Sequence, residues 1–256
     1  MILVLVVGIY SYRKVKKQKN NLNAVNKVKD QILRVIGHDL RGPVGNLKVI
    51  TDIITSKDNI SNPEEQAWIL NRLKSEINDT YFLLTDLLAW SQMQRDNPKL
   101  TFSKFNLVVL VHRSIKIMEP NATRKGIEIN FNYSDKTVEC FSDPNMIQSV
   151  LRNLIGNAVK FTPSGGSVNI KLIEDIQKGK AIIEVSDTGE GIKRTEMDKI
   201  FTYQGLKSSR GTSNEPGTGI GLSLCYDIIS MCDGQIGVRN NSDLGSTFYF
   251  TVPLNT

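Results

Sequence analysis

Asn153-Leu154-Ile155-Gly156-Asn157-Ala158-Val159-Lys160-Phe161-Thr162 is the stretch on which the fold of the second half of the chain turns. Read with Asp143-Pro144 before it and with apolar Met146, Val150, Leu151, Leu154 and Ile155, it predicts one helix, opened by Asp143 and Pro144. Asn153 and Asn157 stand four residues apart on one side of that helix, with Lys160 a turn later. Amides on an otherwise apolar helix cost free energy unless they bond something, and amide oxygens are ligands for a hard cation such as Mg²⁺. The Lys160 ammonium complements phosphate charge.

Working outward, short alternating segments at Gly126 to Phe131, Ser167 to Leu172 and Ala181 to Val185 predict strands, so an α+β domain runs from about Thr101 to the end. The last of these enters Ser186-Asp187-Thr188-Gly189-Glu190-Gly191-Ile192, a carboxylate followed by alternate glycines. Further on, Gly217-Thr218-Gly219-Ile220-Gly221-Leu222 opens a helix through Leu224, Ile228 and Ile229, presenting bare N–H groups and a positive helix end to an anion such as phosphate. Each glycine cluster alone reads equally well as a set of tight turns. No Gly-x-x-x-x-Gly-Lys-Ser/Thr segment occurs, neither cluster has Rossmann context, and the His-Arg-Asp and Asp-Phe-Gly signatures of Ser/Thr/Tyr kinases are missing. A nucleotide site here is of another kind.

The first half is different. Leu22, Val25, Val28, Ile32, Leu40, Val44, Leu47, Ile50 and Ile54 predict one long amphipathic helix, and Leu70, Leu73, Ile77, Thr80, Leu84, Leu87 and Ser91 a second, with Asn62 as N-cap and Pro63 at the first helical position. Such a hairpin leaves an apolar stripe that a second copy would cover, predicting a homodimeric four-helix bundle. Within it, His38 lies off the stripe and faces outward. Pro43 removes the hydrogen bond to Asp39 and predicts a kink there. Asp39 is placed to orient the imidazole, which is largely unprotonated and nucleophilic near neutral pH. The pair alone is equally a solvated helix face.

The net charge of +6 owes much to Arg13, Lys14, Lys16, Lys17 and Lys19, and with 7% aromatics and no basic-aromatic stretch it does not point to nucleic acid. Residues 2–12 are almost wholly apolar and run into that basic flank, which predicts the inner end of a transmembrane helix continuing upstream. Cys140, Cys225 and Cys232 form no zinc or disulfide pattern and read as reduced core residues. His112 reads as an ordinary surface or packing residue.

These motifs resemble those of the sensor histidine kinases of two-component signal transduction, from about residue 20 to the end. HDLRGP (38–43) resembles the phosphoacceptor box and NLIGNAVKFT (153–162) the asparagine box. DTGEGI (187–192) and GTGIGL (217–222) resemble the two glycine boxes, Lys199-Ile200-Phe201 a short box before the lid, and Leu244 to Phe248 the final turn and strand. The resemblance implies two domains: an all-α hairpin forming a dimeric four-helix bundle, then an α+β Bergerat (GHKL) ATPase sandwich with a mixed sheet. The boundaries it gives are 1–12 for the truncated transmembrane end, 13–21 for a basic juxtamembrane linker, 22–96 for the hairpin and 101–256 for the ATPase domain.

It also implies roles. His38 is the phosphoacceptor and Asp39 its catalytic partner, with ATP and Mg²⁺ as cofactors. Asn157 ligates Mg²⁺, Asn153 and Lys160 reach the phosphates, and Asp187 accepts from the adenine amino group. Gly189, Gly191 and Ile192 line the base pocket, and Thr247 completes the adenine side. Gly217, Thr218, Gly219, Gly221 and Leu222 shape a lid over the phosphates, to which Lys207 or Arg210 adds a cation. The implied partners are a second copy and a response-regulator receiver domain, and the implied location is the cytoplasmic face of a bacterial inner membrane. One position departs from the pattern. Where many relatives carry Thr or Asn four residues after the histidine, to position water for regulator dephosphorylation, this chain has Gly42. Kinase and phosphotransfer activity is therefore expected without phosphatase activity.

Overall fold

In the computed structural model the described residues are 12, 14–16, 19, 37, 40–55, 62–93, 100–134, 137–203, 209–213, 215 and 219–255. His38, Asp39, Lys207, Gly217 and Thr218 lie outside them, as does most of the N-terminal apolar and basic stretch. The chain divides into two compact units, Met1–Ile77 and Asn78–Thr256.

Residues 12, 14–16, 19 and 37 are helical, and the helical part includes α1 (residues 40–55), which continues through Pro43, and α2 (Pro63–Met93). Asn62 caps α2 as expected, its side chain accepting the Glu64 N–H at 2.9 Å. The helices meet where Asn46 donates to Glu76 at 3.1 Å, and Arg72 pairs with the same carboxylate at 2.8 Å. Ile50 and Ile69 are buried, whereas Val44, Val49, Trp68, Leu70 and Ile77 are exposed within this unit.

The remainder is an α+β domain. It runs through β1 (Ser103–Asn106), α3 (Leu107–Arg124), β2 (Glu128–Asn132), β3 (Glu139–Ser142), α4 (Pro144–Phe161), β4 (Ser167–Asp175), β5 (Lys180–Asp187), α5 (Arg194–Met197), α6 (Gly221–Met231), β6 (Ile236–Asn240) and β7 (Ser246–Pro253). β2-β4-β5-β7-β6 form a mixed sheet, parallel only between β2 and β4, while β1 and β3 pair separately. The predicted strand from Gly126 begins instead at Glu128, because Gly126 takes φ +63° in the turn that leaves α3.

Alternation buries one face of the sheet. Val168, Ile170 and Leu172 of β4, Ala181, Ile183 and Val185 of β5, and Phe248, Phe250 and Val252 of β7 form the core with Leu107, Val111, Ile147, Leu151, Leu154 and Ile155 of α3 and α4. Each of these Val, Leu, Ile and Phe side chains contributes about 1.5–3 kcal/mol by leaving water. Asp143 caps α4 by accepting from Asn145 and Met146, and Pro144 starts it. All three cysteines are buried and free, and burial pushes the Cys140 thiol up to about 12, so that thiolate chemistry there is suppressed. His112 is exposed and contacts Tyr133 Oη at 3.3 Å.

Candidate functional site

α4 is the base of the site because three backbone segments close on it. With Ile147, Leu151, Leu154, Ile155 and Ala158 turned to the core, the helical period leaves Asn153, Gly156, Asn157 and Lys160 on the half-buried side. Asn157 Nδ2 donates to Asn153 Oδ1 at 3.1 Å. That bond takes one of the two lone pairs of the Asn153 oxygen and none of those of the Asn157 oxygen, whose amide enters it through nitrogen. Lys160 Nζ donates to the Ser209 carbonyl at 2.7 Å.

The first glycine segment sits at one end. Asp187 closes β5 on the helix-facing side, continuing the alternation of Ala181, Ile183 and Val185, and is 4% exposed. Its Oδ1 accepts the N–H groups of Gly189 at 2.9 Å and Ser246 at 3.3 Å, and its Oδ2 accepts the Ser246 hydroxyl at 2.7 Å. A carboxylate has about four acceptor positions, so one further donor can be taken. A β-carbon on Gly189 would come 2.5 Å from the Phe161 carbonyl, so glycine lets this turn lie against the end of α4. Ile192 is held by Asn240, which accepts its N–H at 2.9 Å and donates to its carbonyl at 2.8 Å.

Gly245 closes the same corner at φ +90°, where a β-carbon would run into the Asp187 carbonyl. Gly245→Ala is expected to destabilise the α+β domain by roughly 2–4 kcal/mol, combining left-handed strain with a forced backbone shift. A denaturant titration measures this, and a change below about 0.5 kcal/mol, the range of an ordinary surface substitution, would mean the turn is not constrained.

The second glycine segment reaches α4 from the other side. Gly219 has φ +70°, and α6 follows, with Ile220 at its N-cap making no side-chain capping bond. A β-carbon on Gly221 would collide with the Asn153 amide, so the start of this helix abuts the amide pair. In the same first turn Ser223 is 1% exposed and its hydroxyl has no partner. Leu222 is half-buried. A helix start with an unpartnered hydroxyl in its first turn and two neighbouring amides suits an anion. The preceding chain is anchored by Phe201, packed edge-on against Phe248 at 6.3 Å, and by the Tyr203 hydroxyl, which donates to Asp227 at 2.5 Å.

Asn153, Asn157, Lys160, Asp187, Gly189, Gly191, Ile192, Gly219, Gly221 and Leu222 are thus described in or beside the segments that close on α4. Thr247 departs from its expected place. It pairs with Ser186 on the sheet face opposite Asp187, bonding Ser186 Oγ at 2.6 Å and donating to Asn241 Oδ1 at 2.6 Å. Ser246, one residue earlier and on the face of Phe248, brings its hydroxyl to Asp187 instead. Strand parity carried that signal in the sequence. Asn240 and Asn241 were not singled out by sequence; Asn241 donates to the Asp187 and Leu244 carbonyls, both at 3.0 Å. Arg210 is exposed. Among the described residues, no group of three or more His, Cys, Asp or Glu could hold a metal ion, and no helix is long and apolar enough to cross a membrane.

Residues 142–256 match the family described as histidine kinase-, DNA gyrase B- and HSP90-like ATPase. The chain is 29% identical over 245 residues to the adaptive-response sensory kinase SasA of Crocosphaera subtropica, a match covering 94% of this chain and 63% of that protein. The chain therefore spans less than two thirds of this relative. The catalytic domain of the histidine kinase ThkA is 28% identical with a TM-score of 0.53, over 60% of this chain and 96% of that one. Histidine kinase ThkA in complex with the response regulator TrrA has the same fold, with a TM-score of 0.59 at 23% identity over 95% of this chain and 66% of that one.

Proposed function

We propose, for a chain whose residues 142–256 are a histidine kinase-, DNA gyrase B- and HSP90-like ATPase domain and which is homologous to sensor histidine kinases, that it transfers the γ-phosphoryl group of ATP to His38 and then to a response-regulator aspartate. The observation that carries this is that a buried carboxylate, Asp187, and the start of α6 at Gly221 both close on α4, which bears the Asn153–Asn157 amide pair.

Asp187 takes the adenine amino group with its remaining acceptor position, while Ser246 and the Gly189 N–H hold the carboxylate in place. Gly191 and Ile192, fixed by Asn240, line the base. The Asn157 oxygen is the protein ligand to Mg²⁺, and the oxygen and amide donor set suits that ion, which binds through few protein ligands and the phosphates themselves. Bound Mg²⁺ supplies charge neutralisation at the phosphates. Asn153, Lys160 and the backbone from Gly217 through Thr218, Gly219 and Gly221 to Leu222 hold those phosphates. A His38 ring nitrogen forms the new bond to the γ-phosphorus as the bond to the β,γ-bridging oxygen breaks and ADP leaves, in line. Asp39 holds the imidazole and receives its proton.

The exposed Val44, Val49 and Ile54 of α1, and Trp68, Leu70, Ile77, Tyr81, Leu84 and Leu88 of α2, support a homodimeric four-helix bundle. That hairpin (residues 22–96) carries His38 and receives the receiver domain, ahead of the ATPase domain (101–256). The apolar 2–12 stretch and basic flank support attachment to the cytoplasmic face of a membrane.

A receiver domain added to the γ-labelled chain tests the second transfer. Label is expected to move to the regulator's aspartate, and the regulator's phosphate lifetime is expected not to shorten when the chain and ADP are added. Label that never leaves would restrict the function to autophosphorylation, and clear shortening would show that dephosphorylation survives at Gly42.

A further inference from the structure

Lys125 lies at the end of α3, far in sequence from any of the motifs, and is 9% exposed. A buried ammonium is costly unless fully bonded. Here its three N–H donors serve four acceptors: the carbonyls of Val159 at 2.8 Å and Lys160 at 2.9 Å, Thr212 Oγ1 at 2.8 Å and Glu215 Oε1 at 2.9 Å. The first two are carbonyls in the last turn of α4, which have no partner within the helix and carry its negative end. Lys125 therefore caps α4 from another helix. Its own carbonyl accepts the Gly165 N–H at 3.1 Å, binding the chain just beyond α4 as well.

The other two acceptors belong to the segment that lies on Lys160. Thr212 donates its N–H to the Lys160 carbonyl at 3.1 Å, and its hydroxyl also bonds the Thr162 carbonyl at 2.9 Å. Glu215 closes the segment on itself, its Oε2 accepting the Ser213 N–H at 2.8 Å and its carbonyl the Gly211 N–H at 2.9 Å. Burial alone would raise the Glu215 carboxyl, but the bonds from Lys125, from its own N–H and from Ser213 outweigh this and hold it below its usual range. The same segment supplies the Ser209 carbonyl that holds the Lys160 ammonium at 2.7 Å. One buried cation thus ties the end of the amide-bearing helix to the backbone that fixes Lys160.

We propose that Lys125, through Glu215 and Thr212, is a positioning residue for the phosphate end of the site: it sets where Lys160, Ser209, Thr212 and Glu215 stand, and so governs affinity for the β- and γ-phosphates without touching them. This rests on the nucleotide reading above. The adenine end, built on Asp187, Ser246 and Asn240, shares none of these bonds, so the two ends respond separately.

Affinities of the whole chain for ATP and for AMP, by competition against a fluorescent ATP analogue with Mg²⁺, compare Lys125→Met, Glu215→Gln and the unaltered sequence. ATP affinity is expected to fall about tenfold or more, a loss of about 1.4 kcal/mol, with AMP affinity within about twofold. Unchanged ATP affinity, or an equal loss for ATP and AMP, would overturn the proposal, the second outcome being that of a purely structural lysine. Should Lys125→Met fail to fold, Glu215→Gln decides alone, since its carboxylate is partly solvated. No ATP binding by the unaltered chain would remove the nucleotide reading and this role with it, whereas normal binding with unaffected variants removes only the role.

Discussion

His38→Gln is expected to erase transfer of the γ-phosphoryl group to the chain while leaving ATP bound as before. Gln approximates the size and polarity of His, but its amide nitrogen has no available lone pair to attack phosphorus. The loss should exceed about a thousandfold, the order seen when a covalent nucleophile is removed. ATP affinity should stay within about twofold, because the substitution removes none of the groups proposed to hold adenine or the phosphates. Residual label of more than a few per cent would mean another nucleophile accepts the phosphoryl group, with His112 the other histidine to test.

Asp187→Asn is expected to remove ATP binding with little cost to folding. The amide oxygen can still accept from Gly189 and Ser246, and the Ser246 hydroxyl can turn to accept from the new NH₂. Toward adenine, however, the NH₂ meets an amino donor. Losing a charge-assisted bond and opposing two donors should cost about 3 kcal/mol, on the order of 100-fold in affinity. Asp187→Ala is a worse probe, because it strands two N–H groups and a hydroxyl in a buried corner at about 1–3 kcal/mol each. Calorimetric titration with ATP, alongside a thermal melt, separates the two effects. Near-normal ATP affinity in Asp187→Asn would put the adenine elsewhere.

Local features of this fold were legible before any coordinates. The 3.6-residue period of α4 fixed which side carries Asn153, Asn157 and Lys160, and Asn62 and Asp143 cap the helices they precede. Alternation along β5 put Asp187 on the buried face. What stayed hidden depends on contacts between distant residues. Ser246 rather than Thr247 meets Asp187 because β7 pairs with β5 in one register, and a single step along a strand changes the face. Asn240 and Asn241 look like turn residues until the turn between β6 and β7 is laid beside the first glycine segment. Lys125 reads as one more surface lysine, since nothing local shows that its partners lie 34 to 90 residues away. Caps and periods are local, whereas polar clasps across elements are not.

The chemistry of the phosphoryl bond tests the central claim most directly. The chain is incubated with Mg²⁺ and ATP labelled at the γ-phosphate, or in parallel at the α-phosphate, and the labelled protein is held in acid and in alkali. Phosphoryl transfer to a histidine nitrogen requires label from the γ position alone, lost in acid and kept in alkali. Acid-stable label, label from the α position, or ATP binding with no label at all would contradict it.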